Sequence, residues 1–373
     1  MMELMRSGAV GEWSWRRRLQ MAFVVIALSC SALASAQYVD VLSRAAEPSP
    51  MAVRGLVNGL AQAGSRVIAV GQRGHVLFAD EPYESWRQGT VPVSSDLLAV
   101  HFPTPQHGWA VGHDGVVLHS DDAGASWRLQ LDGRQAVRLI EEYFAEDPRG
   151  VAEADAERLA AEVAQFIADG ADKSLLDVWF DDELTGFVVG AFGVAFRTED
   201  GGRTWVPWFH HIDNPRGLHI YALGAAAGNL YAAGEQGLVL KLSHDGHRFE
   251  ALSTPYAGTY FGVVGSGDAV LVYGLRGNVY RSIDDGQSWE KIDIGVVSNI
   301  NGGTVEDDGT IHLVTQTGQV LTSRDRGMTF KASVMAAPMS ASAVTVRGDT
   351  MVVAGRRGVQ SQRAPLSPRN DES

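Results

Sequence analysis

Along this chain of 373 residues an apolar run, a glycine, two variable residues and a second glycine recur, followed by an alternating run and a small polar turn. The first three copies read Val67-Ile68-Ala69-Val70-Gly71-Gln72-Arg73-Gly74, Trp109-Ala110-Val111-Gly112-His113-Asp114-Gly115 and Phe187-Val188-Val189-Gly190-Ala191-Phe192-Gly193. Four more end on Gly237, Gly277, Gly318 and Gly358, the sixth in a weaker form with Thr315 in place of its first glycine. Successive second glycines lie 41, 78, 44, 40, 41 and 40 residues apart. A period near forty with several strand-like runs per unit predicts an all-β fold, a seven-bladed β-propeller.

The second copy shows what one unit builds. Leu97 to Phe102 is an inner strand, Trp109 to Gly112 a second, and Val116 to Ser120 a third. The turn Ser120-Asp121-Asp122-Ala123-Gly124-Ala125-Ser126-Trp127 follows. It resembles the Asp-box, or BNR, repeat, and recurs around Asp200 and Trp205, Asp284 and Trp289, and Asp325 and Phe330. A copy around Asp245 and Phe249 is one residue short, and Ala79 to Trp86 keeps only the aromatic end. An Asp in such a turn accepts backbone N–H bonds, and the terminal aromatic buries a large surface. These residues are expected to be structural. Equivalent aspartates spread around a ring cannot all serve one catalytic site.

Strand alternation places every Gly-x-x-Gly turn on the rim that carries the links between blades, and every Asp-box on the opposite rim. The seventh unit stops near Arg363 without a box, and residues 38–42 alternate well enough to supply its missing outer strand. Residues 37–363 are therefore read as the propeller, with a disordered tail at 364–373. The 78-residue interval contains an insertion at 133–173, between blades 2 and 3. Val137, Ile140 and Phe144 share one helical face, and Leu159, Val163, Phe166 and Ile167 another. A helical hairpin on the Gly-x-x-Gly rim follows, dispensable for folding. Residues 141–172 hold ten acidic residues against two arginines.

Arg16-Arg17-Arg18, the apolar stretch Met21 to Leu28 and Ala34-Ser35-Ala36 form a signal-peptide layout at 1–36. An uncleaved anchor and a lipid attached at Cys30, the single cysteine, are the alternatives. Export to the periplasm or an equivalent lumen follows. The net charge is −13, and loss of residues 1–36, with four arginines and two glutamates, makes it −15. Such an acidic chain is a poor partner for nucleic acid. No nucleophile elbow, zinc-binding His-Glu-x-x-His or phosphate loop is present. The histidines His210, His211, His219, His244 and His247 follow no familiar ligand spacing, so neither a metal nor a cofactor is expected.

On these turns and boxes, residues 38–363 resemble the Asp-box propellers of the photosystem II stability and assembly factor family. The resemblance implies a monomeric, non-enzymatic scaffold that docks on a protein partner, a membrane protein or transporter complex. A carbohydrate-active propeller of the sialidase or glycosyl-hydrolase kind is the alternative; it would expose tryptophans on a rim. The insertion, the degenerate first box and the broken sixth turn depart from the family pattern. Arg73, Arg276 and Arg357 precede the second glycine of their turns, with Arg356 beside the last. They are the candidate binding residues. Arg73, Arg356 and Arg357 should cluster where blades 1 and 7 meet, with the acidic insertion as their shield or as a separate docking arm.

Overall fold

A computed structural model describes residues 40–145 and 153–365. The leader read at 1–36 and the tail from 366 onward lie outside the described residues. The chain divides after Asp40, and the second unit, Val41–Ser373, holds the ring.

Seven antiparallel sheets are each built from one contiguous stretch of chain, with strands in sequence order. Their inner strands are Val57–Ala63, Leu97–His101, Leu175–Phe180, Ile220–Ala226, Tyr260–Ser266, Ile300–Val305 and Ala341–Arg347. The second strand of each blade is sandwiched between neighbouring blades. That is why Gly108–Gly112 and Gly186–Gly190 are buried at every position and read as unbroken apolar runs rather than alternations.

The glycine pair has a steric cause. A β-carbon on Gly71 would stand 2.1 Å from the Leu56 carbonyl oxygen, and one on Gly74 2.3 Å from that of Val93. The first glycine thus meets the start of its own inner strand, and the second meets the link to the next blade. Gly355 and Gly358 repeat this at the far end of the chain, 2.2 Å from Ser340 and 1.9 Å from Val53. In every blade the register slips by one residue opposite the first glycine, or opposite Thr315 in blade 6, so each inner strand begins with a bulge.

Ring closure differs from the expected shared blade. Val41–Ser43 forms a 3-10 turn whose Val41 carbonyl accepts the Ser94 N–H at 2.9 Å, and Leu42 packs on the core between blades 1 and 2. Tyr38 and Val39 lie outside the described residues. The seventh sheet has three strands, ending with Gly358–Arg363. Closure comes from packing of blade 7 against blade 1. Val352 and Val359 meet Val67, Ala79 and Tyr83. Ser342 Oγ donates to the Val57 carbonyl at 2.6 Å, and Gln62 Nε2 to Thr345 Oγ1 at 2.7 Å. Residues 364 and 365 are held too: the Ala364 N–H donates to the Asp349 carbonyl, and Arg324 Nη2 to that of Pro365.

Helices α1 (Gly133–Ala145) and α2 (Glu153–Asp169) occupy the link between blades 2 and 3. Asp132 and Gln135 cap α1 reciprocally, each side chain accepting the other's backbone N–H. The hairpin leaves and returns at one point, since a β-carbon on Gly133 would lie 1.9 Å from the Ala171 carbonyl oxygen. Ile140, Leu159 and Phe166 are buried in one core with Val194, Phe196 and Phe209. Phe209 meets the rings of Phe144 and Phe166 at 5.4 and 4.9 Å. The insertion therefore completes the outer end of blade 3. The sequence pattern showed its apolar faces but not what they cover, and dispensability for folding does not fit this packing.

Two glycine substitutions separate close approach from backbone strain. Gly358 has φ +87° and no room; Gly170, after α2, has φ +76° and nothing within 4 Å of a β-carbon. Gly170→Ala should cost about 1 kcal/mol, the strain alone. Gly358→Ala should cost several times that in urea unfolding. Equal costs would remove close approach as the reason for the glycine pair.

Candidate interaction rim

On the Asp-box face the carboxylates are spent inside their turns. Asp122 Oδ1 accepts the Ser120 hydroxyl at 2.9 Å and the Ser126 N–H at 2.8 Å, while Oδ2 accepts the Ser126 hydroxyl at 2.6 Å. Asp200, Asp284 and Asp325 repeat the pattern with Thr204, Ser288 and Thr329. The shorter copy keeps the Ser243 hydroxyl on Asp245 at 2.6 Å. Hydrogen bonds from the Ser288 side chain and backbone, and from Ser282, pull Asp284 down to about 2. Carboxylates so tied make poor proton donors near neutrality. Trp127, Trp205 and Phe249 are buried, whereas Trp289 and Phe330 are only half-buried. No tryptophan among the described residues is exposed, which counts against a glycan platform.

His210 and His219 serve packing, whereas His244 and His247 are exposed. His210 lies against Tyr143 of α1, its Nε2 3.3 Å from the Tyr143 hydroxyl, and burial with His211 alongside pushes it down to about 3. His219 Nδ1 accepts the Phe192 N–H at 3.1 Å. Among the described residues no three His, Cys, Asp or Glu side chains gather as a metal site would require.

The opposite rim carries the arginines. Arg73 and Arg276 have φ +57° and +56°, the left-handed conformation of their turns. Each is pinned by the residue just ahead of the next inner strand: the Arg73 N–H donates to Asp96 Oδ1 at 2.7 Å, the Arg276 N–H to Asn299 Oδ1 at 2.9 Å. Their side chains, and those of Arg356 and Arg357, are exposed and form no ion pair among the described residues. Residues 52–55 run between turns 7 and 1: Val53 touches Gly358, and Gly55 faces the Gln72 side chain. Exposed Arg54 therefore joins Arg73, Arg356 and Arg357 at the seam. Sequence reasoning missed Arg54 because it lies in a link rather than in the repeat. Arg276, on blade 5, stands apart. The described parts of the insertion lie on blades 2 and 3, away from this seam, so they do not cover the arginines as a shield would.

Seven inner strands enclose an axial channel of about 560 Å³. Its mouth on the arginine rim is ringed by the bulge residues. Asn58, Asn301 and Ser342 each bond a carbonyl at the start of the next inner strand, at 2.8, 2.8 and 2.6 Å. Leu98, Leu176, Tyr221 and Phe261 make the other side apolar. Deeper in, Asp177 accepts the N–H groups of Val178 and Leu223 at 2.8 and 2.7 Å, tying blade 3 to blade 4. It keeps some contact with the channel, but protein surrounds it, and burial raises it to about 7. His101 stacks on Trp179 at 4.3 Å and is lowered to about 4 by burial.

The profile of the family described as "Photosynthesis system II assembly factor YCF48" matches residues 79–147 and 157–307. The chain belongs to that family. It is 25% identical over 242 residues to the "Photosystem II assembly lipoprotein Ycf48" of Synechococcus sp. (strain CC9902), covering 63% of this chain and 61% of the relative. It is 29% identical over 191 residues to the "Photosystem II assembly protein Ycf48" of Synechococcus sp. (strain JA-2-3B'a(2-13)), covering 47% and 52%. The matches thus span about half to three-fifths of the relatives' length. Among solved structures, "YCF48 bound to D1 peptide" aligns with TM-score 0.61 at 14% identity over 87% of this chain and 97% of that one. YCF48 from Cyanidioschyzon merolae aligns with TM-score 0.59 at 15% identity, over 85% and 97%. The WD40 propeller domain of Doa1 gives 0.58 at 10% identity, over 85% and 94%. These likenesses establish the seven-bladed fold.

Asp177 and three histidines, His101 of the channel and His119 and His210 outside it, set opposing pH dependences. Unfolded, Asp177 would ionise near pH 4, so its contribution to stability is lost progressively as pH rises from about 4 to about 7 and is gone above. His101 and His119, both near 4, and His210, near 3, act the other way. Their contribution is present above about 6.5 and lost as pH falls. The melting temperature should therefore fall on acidification below pH 6.5. Asp177→Asn should gain stability relative to the parent as pH rises from 4 to 7, and no further. A pH-independent difference would mean that Asp177 is ionised throughout.

Proposed function

We infer that this member of the YCF48 family is an exported, non-enzymatic assembly factor that docks on a membrane-protein partner through the seam of blades 7 and 1. The observation that carries this reading is the group of four exposed arginines without ion-pair partners among the described residues, on a chain whose net charge is −13. Exposed guanidiniums held on two turns and a short link suit recognition of carboxylates, which they grip with paired N–H donors. A relative's structure contains a D1 peptide, which supports a polypeptide as the ligand here too. A relative carries the name lipoprotein, in line with export, and Cys30 is the residue a lipid would use. The spent carboxylates of the Asp-boxes support a role without hydrolysis.

The test uses the exported protein, affinity-tagged and crosslinked in intact cells. One integral membrane protein should co-purify with it. Arg73→Ala with Arg357→Ala should reduce that yield at least about fivefold, as should raising the salt to about 0.5 M. An unchanged yield in the double variant, or release of sugar from a glycan substrate, would overturn the reading.

A further inference from the structure

The sixth turn breaks the repeat in sequence, and like the seventh it lacks the left-handed residue of the first five. Thr317 occupies the place of Arg73 and Arg276, but it is absent from the left-handed region they adopt. A β-branched side chain disfavours that conformation. Instead the Thr315 hydroxyl accepts the Gln319 N–H at 3.0 Å. Beside this turn lies a cleft. An outer part of about 520 Å³ runs between Gln316 and Thr317 and the link residues Val296 and Val297. It shares Asn299 and Gln316 with an inner part of about 290 Å³, which ends on Tyr221 and Phe261. Those two rings, edge to face at 5.7 Å, also line the axial channel. The cleft is therefore continuous from the edge of the rim to the axis.

We propose that this cleft binds an extended segment of another protein, its main chain held by side-chain amides and one large apolar side chain seated on Tyr221 and Phe261. The amide chemistry argues for a main chain. Asn299 Oδ1 is occupied by the Arg276 N–H, which leaves its Nδ2 hydrogens free among the described residues. Asn301 Nδ2 is occupied by the Ala341 carbonyl, which leaves Oδ1 free. One residue thus offers a donor and the other an acceptor, and both orientations are dictated by their partners. Both line the inner part of the cleft, where one can meet a C=O and the other an N–H of the same extended segment. Gln316, exposed and without a side-chain bond among the described residues, adds either group on the opposite bank. The apolar half of the channel mouth gives the anchoring side chain a dry seat, as peptide grooves commonly do. Val297, 85% exposed at the outer end, extends the apolar track. This surface lies on blades 4 to 6 and does not depend on the arginine seam.

The experiment pans a display library of random twelve-residue peptides on the propeller. Enriched peptides should share one aromatic or large aliphatic residue. Synthetic versions should lose at least about tenfold in affinity on Phe261→Ala and on Gln316→Trp, which fills the cleft from an exposed position. N-methylation of main-chain amides beside the anchor should cost a similar factor, whereas Arg73→Ala with Arg357→Ala should leave affinity within about twofold. Circular dichroism melts of each variant separate lost binding from lost folding; Gln316→Trp touches no core residue. Failure to enrich any peptide would overturn the proposal. So would enriched peptides indifferent to Gln316→Trp, or peptides whose binding follows the arginines, and either result leaves the seam's own test intact.

Discussion

Everything on the functional rim rests on two backbones meeting where no side chain fits. In six blades the first glycine lets the start of the inner strand press against the second strand, and all seven inner strands, that of blade 6 with Thr315 included, open with a bulge. The bulge residue is thereby turned toward the axis. Asn58, Asn301 and Ser342 use that position to bond the next blade, while Leu98, Leu176, Tyr221 and Phe261 use it to line the mouth. The second glycine brings the link over the turn, and at turns 1, 3 and 5 the side chain ahead of the next inner strand, Asp96, His219 or Asn299, reaches the left-handed N–H. Neighbouring blades are thus joined through main-chain groups, and the exposed side chain of the turn is left free to vary. Arg73, Asp114, Phe192, Gln236 and Arg276 occupy this one site with no common chemistry, as expected for a position whose backbone alone is structural.

The opposite rim is held by a different device. An Asp-box closes its own hairpin through side chains of the same turn, so it needs no neighbour and can be lost from one blade without opening the ring. Blade 1 shows this: its degenerate copy replaces the box with Tyr83, fully buried, whose hydroxyl donates to the Ser65 carbonyl at 2.9 Å. Between the rims the blades are clamped by apolar second strands. The described residues contain no cysteine, so burial of these strands must supply most of the stability. A ring of this kind tolerates a three-stranded seventh blade because blade-to-blade faces, rather than a shared strand, carry its closure.

Turn chemistry was legible in the sequence because it is local. Gly-x-x-Gly and Ser-x-Asp-x-Gly-x-Ser-Trp specify conformations within eight residues, and their spacing then sets blade number and rim. The exposed state of Arg73, Arg276, Arg356 and Arg357 followed from the same logic. What escaped was set by distant chain. Residues 38–42 alternate like a strand, yet Ser94 offers Val41 a partner some fifty residues away, and Val41–Ser43 is a 3-10 turn. Arg54 has no signature of its own; only the approach of Val53 to Gly358 brings it to the seam. The apolar faces of α1 and α2 were visible, but Phe209, the residue they cover, lies forty residues beyond α2 and has no periodic mark. Asp177 reads as an ordinary strand position until Leu223 of the next blade presents its N–H.

Pseudo-symmetry gives a way to rank the departures. Seven near-equivalent units produce a ring in which any feature repeated seven times must be about folding, since no single ligand needs it seven times. Function then belongs to the places where the repeat is broken and the break leaves something exposed. The link at 52–55, which has no counterpart in the repeat, brings Arg54 between turns 7 and 1 and so puts four cations on one seam. Thr315 and Thr317 at turn 6 cost that blade its close glycine approach and leave a cleft lined by amides. The insertion fails the second condition on its apolar side, because Ile140, Leu159 and Phe166 are consumed by blade 3. Only its acidic outer surface remains available. Among the described residues Glu141, Glu142 and Glu157 are exposed there. Exposed acids on blades 2 and 3 and exposed arginines on blades 7 and 1 make the charge of this ring uneven, an asymmetry that the repeat alone would not produce.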